Sequence, residues 1–534
     1  MPWRFDRLFK YDVTKVFQQM HLRPDSDYHV QIHIRSVNGT ELDPHLIEAP
    51  SVSFVPGISE VSSLTLEEVN SLTNALYKLQ NDHGPNGFEA NMRASTERLD
   101  FAQKKRQQVF VLPARDASPS TLASSADRAV RESPEGEGIR RGHPLLGLDK
   151  TRQGLPQLFT DSHGTNPFGT YDIQSAGHFV ERDVQADVLE HLTDEHFEDS
   201  LFHQALETLE ETNYCDFEVQ FEMLHNAIHF LVGGAKTYSM STLEYSAFDP
   251  FFMVHHSSID RIWRIWQELQ KIRRYLLKPL HPFSYETVNA DELTRANAAP
   301  LQIFDTNKFH YHYDNLELGG HSVKELNELI KDMRSESRLF VALVLFGFGT
   351  SASVQVDIDH NGHKEKIGTF YVLGGETEMP WAYERAYKLD MTEAARKLNM
   401  DQNSIFNFEV SVTKYDGTPL TVDLPSPFVI HRPANADYDV HILPMSPLTE
   451  LPPKIVLRKG ARVIFQRTHP LVTGPIKEVG SFTNSVYCAI PPGDANSYHL
   501  DTEYSLQPGT YYFVSGDEER CRMGRSAQIT VDDE

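Results

Sequence analysis

Two strings decide how this chain folds: LHNAIHF at Leu224 to Phe230, and FDPFFMVHHSSIDRIWRIW at Phe248 to Trp266. His225 and His229 stand four apart in an apolar pattern of helical period, so both imidazoles leave one helix face, about 6 Å apart. That is metal-ligand spacing. Asp249-Pro250 is a helix start signal, and His255, His256, Asp260, Trp263 and Trp266 follow it at helical spacing. A single histidine in such a helix is more often core or surface than ligand. The joint pattern, HxxxH followed by DPxFMxHHxxxD, asks for many specific residue types at once and reverses those odds.

This constellation resembles the second copper half-site of the type 3 dicopper proteins, the tyrosinases, catechol oxidases and molluscan hemocyanins. The resemblance implies that His225, His229 and His256 are ligands and that His255 packs. It also implies that Asp260 orients a ligand or caps the site, with Asn226 a supporting neighbour. Imidazole suits copper.

At 534 residues the chain is too long for one ordinary domain. Its formal charge of −25 and pI near 5.4 argue against nucleic acid and anionic membranes as partners. No apolar run reaches membrane-spanning length. Met1-Pro2-Trp3 opens into an amphipathic segment with no signal peptide visible, so the protein is cytosolic or its start lies upstream. Cys215, Cys488 and Cys521 allow at most one bridge and do not fix the compartment. Asn38-Gly39-Thr40 is a glycosylation sequon, weak evidence for secretion.

MPWRFDRLFKYDVT at Met1 aligns without a gap with MPWAYERAYKLDMT at Met379, and at the same offset Asn38-Gly39-Thr40 falls on Asp416-Gly417-Thr418. A tail followed by a body that ends in the same tail reads as a piece of a tandem array, with Met1 an internal residue. Tandem units resemble molluscan hemocyanin and not tyrosinase, as do YCDFEVQFEMLHNAIHFLVGG (214–234), FGFGTSASV (346–354) and YVLGGETEMPW (371–381).

The expected architecture is therefore multidomain. Residues 1–57 would be the end of a preceding unit's β domain, 58–290 a mainly α copper domain, and 291–433 a β-sandwich read from alternating segments such as RLFVALVLF. His310, His312, His360 and His363 fall in that region and read as structural or solvated. Residues 434–534 read as a small C-terminal β-sandwich. Its string GTYYFVSGDEERCRMGRSAQITV is similar to the end of cupredoxins, but Glu519 or Arg520 stands where their histidine ligand would be. A copper-free cupredoxin-like module follows, with Cys488 and Cys521 able to form a bridge. Among hemocyanins such an extension marks the last unit of the gastropod-type subunit.

A dicopper site needs a first half, which this family writes as FHG, CxHG, HWHR and PYWDW strings, and none is present. Residues 95–153 are instead Ser-, Arg- and Ala-rich without periodicity, and so long a structureless insert is unexpected inside a compact domain. Written with permitted codons and read one nucleotide on, Gly142 to Gln153 gives GIPYWDWTRPD. Similar shifts turn Leu112 to Ser125 into CLHGMPVLPHWHR and Ala94 to Lys105 into FHGTAGLCPEE. The stretch thus reads as an out-of-frame translation of an ordinary first half-site, the alternative being a subunit that has lost it.

By resemblance the intact unit binds O2 between two copper ions inside a large decamer-type assembly of secreted, extracellular protein. Val344 or Leu345 would cover the site against phenols. The alternatives are latent phenol oxidation at the same site and a copper-depleted structural unit.

Overall fold

The computed structural model describes residues 57–58, 66–93 (less 85, 86 and 91), 155–185 (less 156 and 161–165), 200–272 (less 213), 312–345 (less 314), 348–374, 385–445 (less 437 and 438) and, within 454–531, all but 468–473, 482–484, 486–496 and 516–525. Asn38, Cys488, Cys521, His310, the 1–56 repeat and the 95–153 stretch lie outside these residues.

The first body is helical: α1 (Leu66–Gln80), α2 (Leu201–Glu210), α3 (Tyr214–Gly233), α4 (Phe251–Ile272) and α5 (Val323–Ser335). In α3 the apolar residues Phe217, Phe221, Leu224, Ile228 and Leu231 recur at intervals of four and three, and all five are buried. α4 is buried almost all round, as a helix at the centre of a domain must be. The two are clamped where Phe217 stacks on Trp266 at 4.2 Å and the Trp266 indole N–H donates to the Glu211 carbonyl at 2.7 Å.

α4 starts where Asp249-Pro250 says it should. The Asp249 carboxylate accepts the Phe251 N–H at 2.8 Å, satisfying a first-turn donor. That carboxylate is wholly buried and pairs with both arms of Arg182, which also donates to the carbonyls of Phe159 and Phe168.

The expected boundary at residue 291 needs correcting. Leu318, Leu326 and Ile330 join the helical core, and α5, opened by a Ser322/Glu325 capping box, packs on α2 and α4. Its apolar stripe has helical period and so belongs to a helix-on-helix core. The sandwich proper begins at Arg338. His312 sits in a two-residue strand paired in parallel with Gly57–Ile58, outside the sandwich sheets.

That sandwich comprises β1 (Arg338–Leu345), β2 (Ala352–His360), β3 (His363–Val372), β4 (Arg385–Asp390), β5 (Asn407–Lys414) and β6 (Phe428–Arg432), in sheets ordered β4-β1-β6 and β5-β2-β3. Alternate residues Leu339, Val341, Leu343 and Leu345 of β1 meet Val354, Val356 and Ile358 of β2 in one core, as period-2 patterning requires. His360 and His363 pair across the Asn361-Gly362 turn, where both turn residues have positive φ.

Residues 440–531 form the expected small β module from β7 (Val440–Met445), β8 (Lys454–Leu457), β9 (Arg462–Arg467), β10 (Ile476–Val479), β11 (Ser497–Tyr498), β12 (Glu503–Ser505), β13 (Gly509–Ser515) and β14 (Ser526–Val531). Its sheets, β7-β9-β12 and β8-β14-β13-β10-β11, share a core containing Leu443, Phe465, Phe513 and Ile529. The module also packs on the outer face of β1, where Val440, Ile442 and Ile464 meet Ala342 and Ile430.

Where the three bodies meet, buried charge adds to the apolar packing. Arg338 pairs with Glu207, Glu210 and Asp390; Arg334 with Glu210 and Asp439; Arg432 with Glu210; and Lys388 with Glu211. All of these groups except Arg338 and Asp390 line a cavity of about 40 Å³.

Candidate metal centre

Adjacent turns of α3 and α4 bring four imidazoles together: His225, His229, His255 and His256. The Nε2 atom of His225 lies 3.0 Å from that of His229 and 3.0 Å from that of His256. Which nitrogens carry the protons follows from what lies behind the rings. Asn226 donates its amide N–H to the Tyr371 carbonyl at 2.9 Å, so its Oδ1 is the atom facing His225 Nδ1 at 2.9 Å and that nitrogen must be protonated. His229 Nδ1 faces the Met240 carbonyl at 2.8 Å, and His256 Nδ1 faces that of Phe252 at 2.8 Å.

All three Nε2 atoms are therefore lone-pair donors. His225 Nε2 faces each of the other two at 3.0 Å with no proton between, so those lone pairs repel. A cation would resolve this, and 3.0 Å is near the edge of about 3.3 Å expected for a tetrahedron of about 2 Å metal–nitrogen bonds. The backing of each ring by an acceptor is the arrangement that orients metal-ligating histidines.

Burial keeps the set neutral. It drives the pKa of His225 down to about 4 and those of His229, His255 and His256 well below the ordinary histidine value, each reinforced, except at His225, by a neighbouring imidazole. Neutral imidazole is the ligand form, so binding a metal here displaces no proton from these nitrogens.

His225, His229 and His256, chosen from sequence, thus lie together, and Asn226 lies behind His225. His255 does not turn away: ligand nitrogens of His225, His229 and His255 all lie within 4.8 Å of one another. His256 Nε2 makes its own 3.0 Å contact with His225 Nε2, and the Phe252 carbonyl lies behind its ring. Asp260 accepts the Tyr313 hydroxyl, one turn beyond the cluster. Leu345 points into the sandwich core, and Val344 lies at the neighbouring, oppositely directed position of β1. Among the β-domain residues with contacts on the imidazole helix is Tyr371, whose ring lies tilted 4.9 Å from that of Phe230 and whose carbonyl accepts from Asn226. Sequence reading missed Tyr371, Arg182 and Met240; Arg182 and Met240 lie in irregular segments that carry no period to read.

A helical body that supplies histidines from two antiparallel helices, with a β-sandwich set against it, is the architecture of a type 3 copper protein, and the three-histidine group can hold one copper ion. The chain belongs to the molluscan hemocyanin family. Residues 1–56 and 333–433 match the haemocyanin beta-sandwich family, and 112–269 match the common central domain of tyrosinase. Hemocyanin 2 of Megathura crenulata is 41% identical over all of this chain, which spans 16% of that protein. Unit G of the Helix pomatia hemocyanin beta-C chain is 33% identical, with 73% of this chain covering 99% of it. A functional unit of Octopus hemocyanin has the same fold, with TM-score 0.59, 31% identity, and coverage of 71% of this chain and 100% of that one.

Proposed function

We propose that this chain is part of a multi-unit, extracellular oxygen carrier in which each intact unit binds O2 reversibly at two copper ions. The observation that carries this is the pair of 3.0 Å contacts that set the proton-free Nε2 atoms of His229 and His256 against that of His225. Copper held there would supply the reversible bond to O2. The chain's own residues prepare for it: Asn226 and the carbonyls of Met240 and Phe252 hold the protons on the far nitrogens, and Phe252 and Val254 help keep water out.

Carriage is favoured over phenol oxidation by the closure of the β-sandwich on α3. Arg385 of β4 pairs with Glu218 and Glu222, and Tyr371 of β3 takes the Asn226 amide, so the sandwich is tied down beside the imidazoles. Val344 and Leu345 remain proposals as the residues that cover the site. Catechol turnover should be near background in the intact protein and rise once the sandwich is removed by proteolysis. Equal turnover before and after would favour the oxidase reading.

The first half-site is proposed to be encoded out of frame across residues 95–153, the units to assemble as a large decamer, Asn38 to carry glycan and Cys488 to bridge to Cys521. Native protein should hold two copper ions per unit and show an oxygen-dependent near-ultraviolet band. Protein expressed from this sequence should hold at most one and show none. A strong band from the latter, or an unbroken reading frame in the transcript, would refute the split-site reading; copper-free native protein would refute the carrier.

A further inference from the structure

His225, His229 and His256 are not held from behind in the same way. His229 Nδ1 faces the Met240 carbonyl and His256 Nδ1 that of Phe252, so both rings are set by main chain of the helical body. His225 is set by a side chain, the Asn226 amide, whose Oδ1 lies 2.9 Å from its Nδ1. A main-chain carbonyl is fixed by the backbone that carries it, whereas a side-chain amide has two orientations. Turned over, Asn226 would set its own N–H groups against the His225 N–H. Something has to hold it.

Two acceptors do so. One is the Tyr371 carbonyl of β3, at 2.9 Å from the amide nitrogen. The other is the Glu222 carboxylate, one turn back on α3, which takes a hydrogen bond from the same side chain. Glu222 is a costly residue to place there. It is 7% exposed, and burial raises its pKa, a rise that Arg385 of β4 and the Asn226 hydrogen bond oppose. Arg385 bonds to Glu222 and also reaches Glu218 at 3.6 Å. A clamp between the sandwich and α3 needs only Arg385 and one carboxylate, and Glu218 already supplies that. What Glu222 adds is a negative oxygen on the amide N–H. Hydrogen bonds in such a chain polarise one another, so the carboxylate firms the hold of Asn226 Oδ1 on the His225 N–H and makes Nε2 a better lone-pair donor.

We propose that Glu222 is a positioning residue for His225, and that the relay Arg385–Glu222–Asn226–His225 carries the docking of the sandwich to the one nitrogen shared by both 3.0 Å contacts. This rests on the copper reading given above and deepens it. The β domain then acts on the metal centre by tuning a single ligand, in addition to any cover it provides.

The test uses full-length protein and reads the far nitrogens of the imidazoles. In apo protein with labelled histidine, nitrogen NMR should show the His225 Nδ1 resonance shifted in Glu222→Leu while those of His229 and His256 stay in place. With one equivalent of Cu(II), pulsed electron paramagnetic resonance reads the same remote nitrogens, and one set of couplings should shift. Copper should bind about 10-fold more weakly, the lower end of what loss of an outer partner costs. Glu222→Gln keeps an oxygen for the Asn226 N–H and should restore most of both signals. Arg385→Met should weaken copper binding in the wild type and add nothing in the Glu222→Leu background. Unshifted nitrogens and wild-type affinity in Glu222→Leu, with only thermal stability lowered, would make Glu222 a domain clamp and overturn the relay. Equal effects of Arg385→Met in both backgrounds would overturn it too. No copper uptake by the wild type would overturn the copper reading instead; the apo resonances would then decide the relay alone, and their constancy would sink it.

Discussion

Two buried polar clusters flank the same pair of helices, and they solve the problem of burying polarity in opposite ways. Around the C-terminal end of α2, the guanidinium and ammonium groups of Arg334, Arg338, Lys388 and Arg432 face Glu207, Glu210, Glu211 and Asp439, charge against charge. On α3 and α4 sit four imidazoles, and the Nε2 lone pairs of His229 and His256 are turned on that of His225. The first cluster sets its charges against opposite charges of the protein itself and joins three bodies. The second is complete only with a cation. Polarity that is already paired points to architecture, whereas polarity that is neutral, crowded and unprotonated on its inner face points to a ligand.

That contrast can be broken at either end. The largest effect is expected from His225→Ala, which removes the nitrogen common to both 3.0 Å contacts. Copper affinity, followed by equilibrium dialysis, should fall by more than about a hundredfold, while metal-free thermal stability should fall little or rise. Next comes Arg338→Met, which leaves Glu207 and Asp390 without the cation they pair with and takes one of three cations from Glu210. It should cost about 3–5 kcal/mol in chemical denaturation and leave the copper stoichiometry of the folded fraction unchanged. A loss of copper with retained stability in Arg338→Met would erase the distinction between the clusters.

The two regions also differ in their response to pH. His441 of β7 bonds to Asp216 at the start of α3. Burial disfavours its charge, but the Asp216 carboxylate outweighs this, with help from Asp439, and holds its pKa above the ordinary histidine value. Its contribution is therefore full below about pH 6.5 and is lost as pH rises through the raised value. His441→Gln should lose about 1.5–3 kcal/mol at pH 6 and much less at pH 9; equal losses at both would refute a charged pair. The imidazoles of the metal centre slope the other way in apo protein, since their depressed pKa values disfavour folding as pH falls below about 6.5. The smallest effect is expected from Asn226→Ala, which keeps every ligand but frees His225 Nδ1. Copper should bind about 10- to 100-fold more weakly, and no change would remove Asn226 from the centre.

How much of this was legible beforehand follows from the range of each interaction along the chain. The α3–α4 pair, its histidines and the Asp249 start signal are written in periodicity and caps, which operate within one or two turns. The sandwich and the C-terminal module were legible from alternation and turns. The placement of α5 was not, because a single amphipathic helix between two bodies does not say which core its stripe faces. Nor was the charged junction, whose partners Glu210 and Arg432 are 222 residues apart.

Strand β1 offers one more consequence. Its odd-numbered residues are claimed by the sandwich core and its even-numbered ones, Phe340 and Ala342, by the seam with the C-terminal module. Neighbouring codons thus answer to different selective constraints. A bulky replacement at Ala342 would act as a wedge, prising away the terminal module while sparing the barrel of contacts one residue along. A truncation at Val341 would be felt first by the partner sheet. The strand works as a party wall, and the family can renovate the rooms on one side without disturbing those on the other.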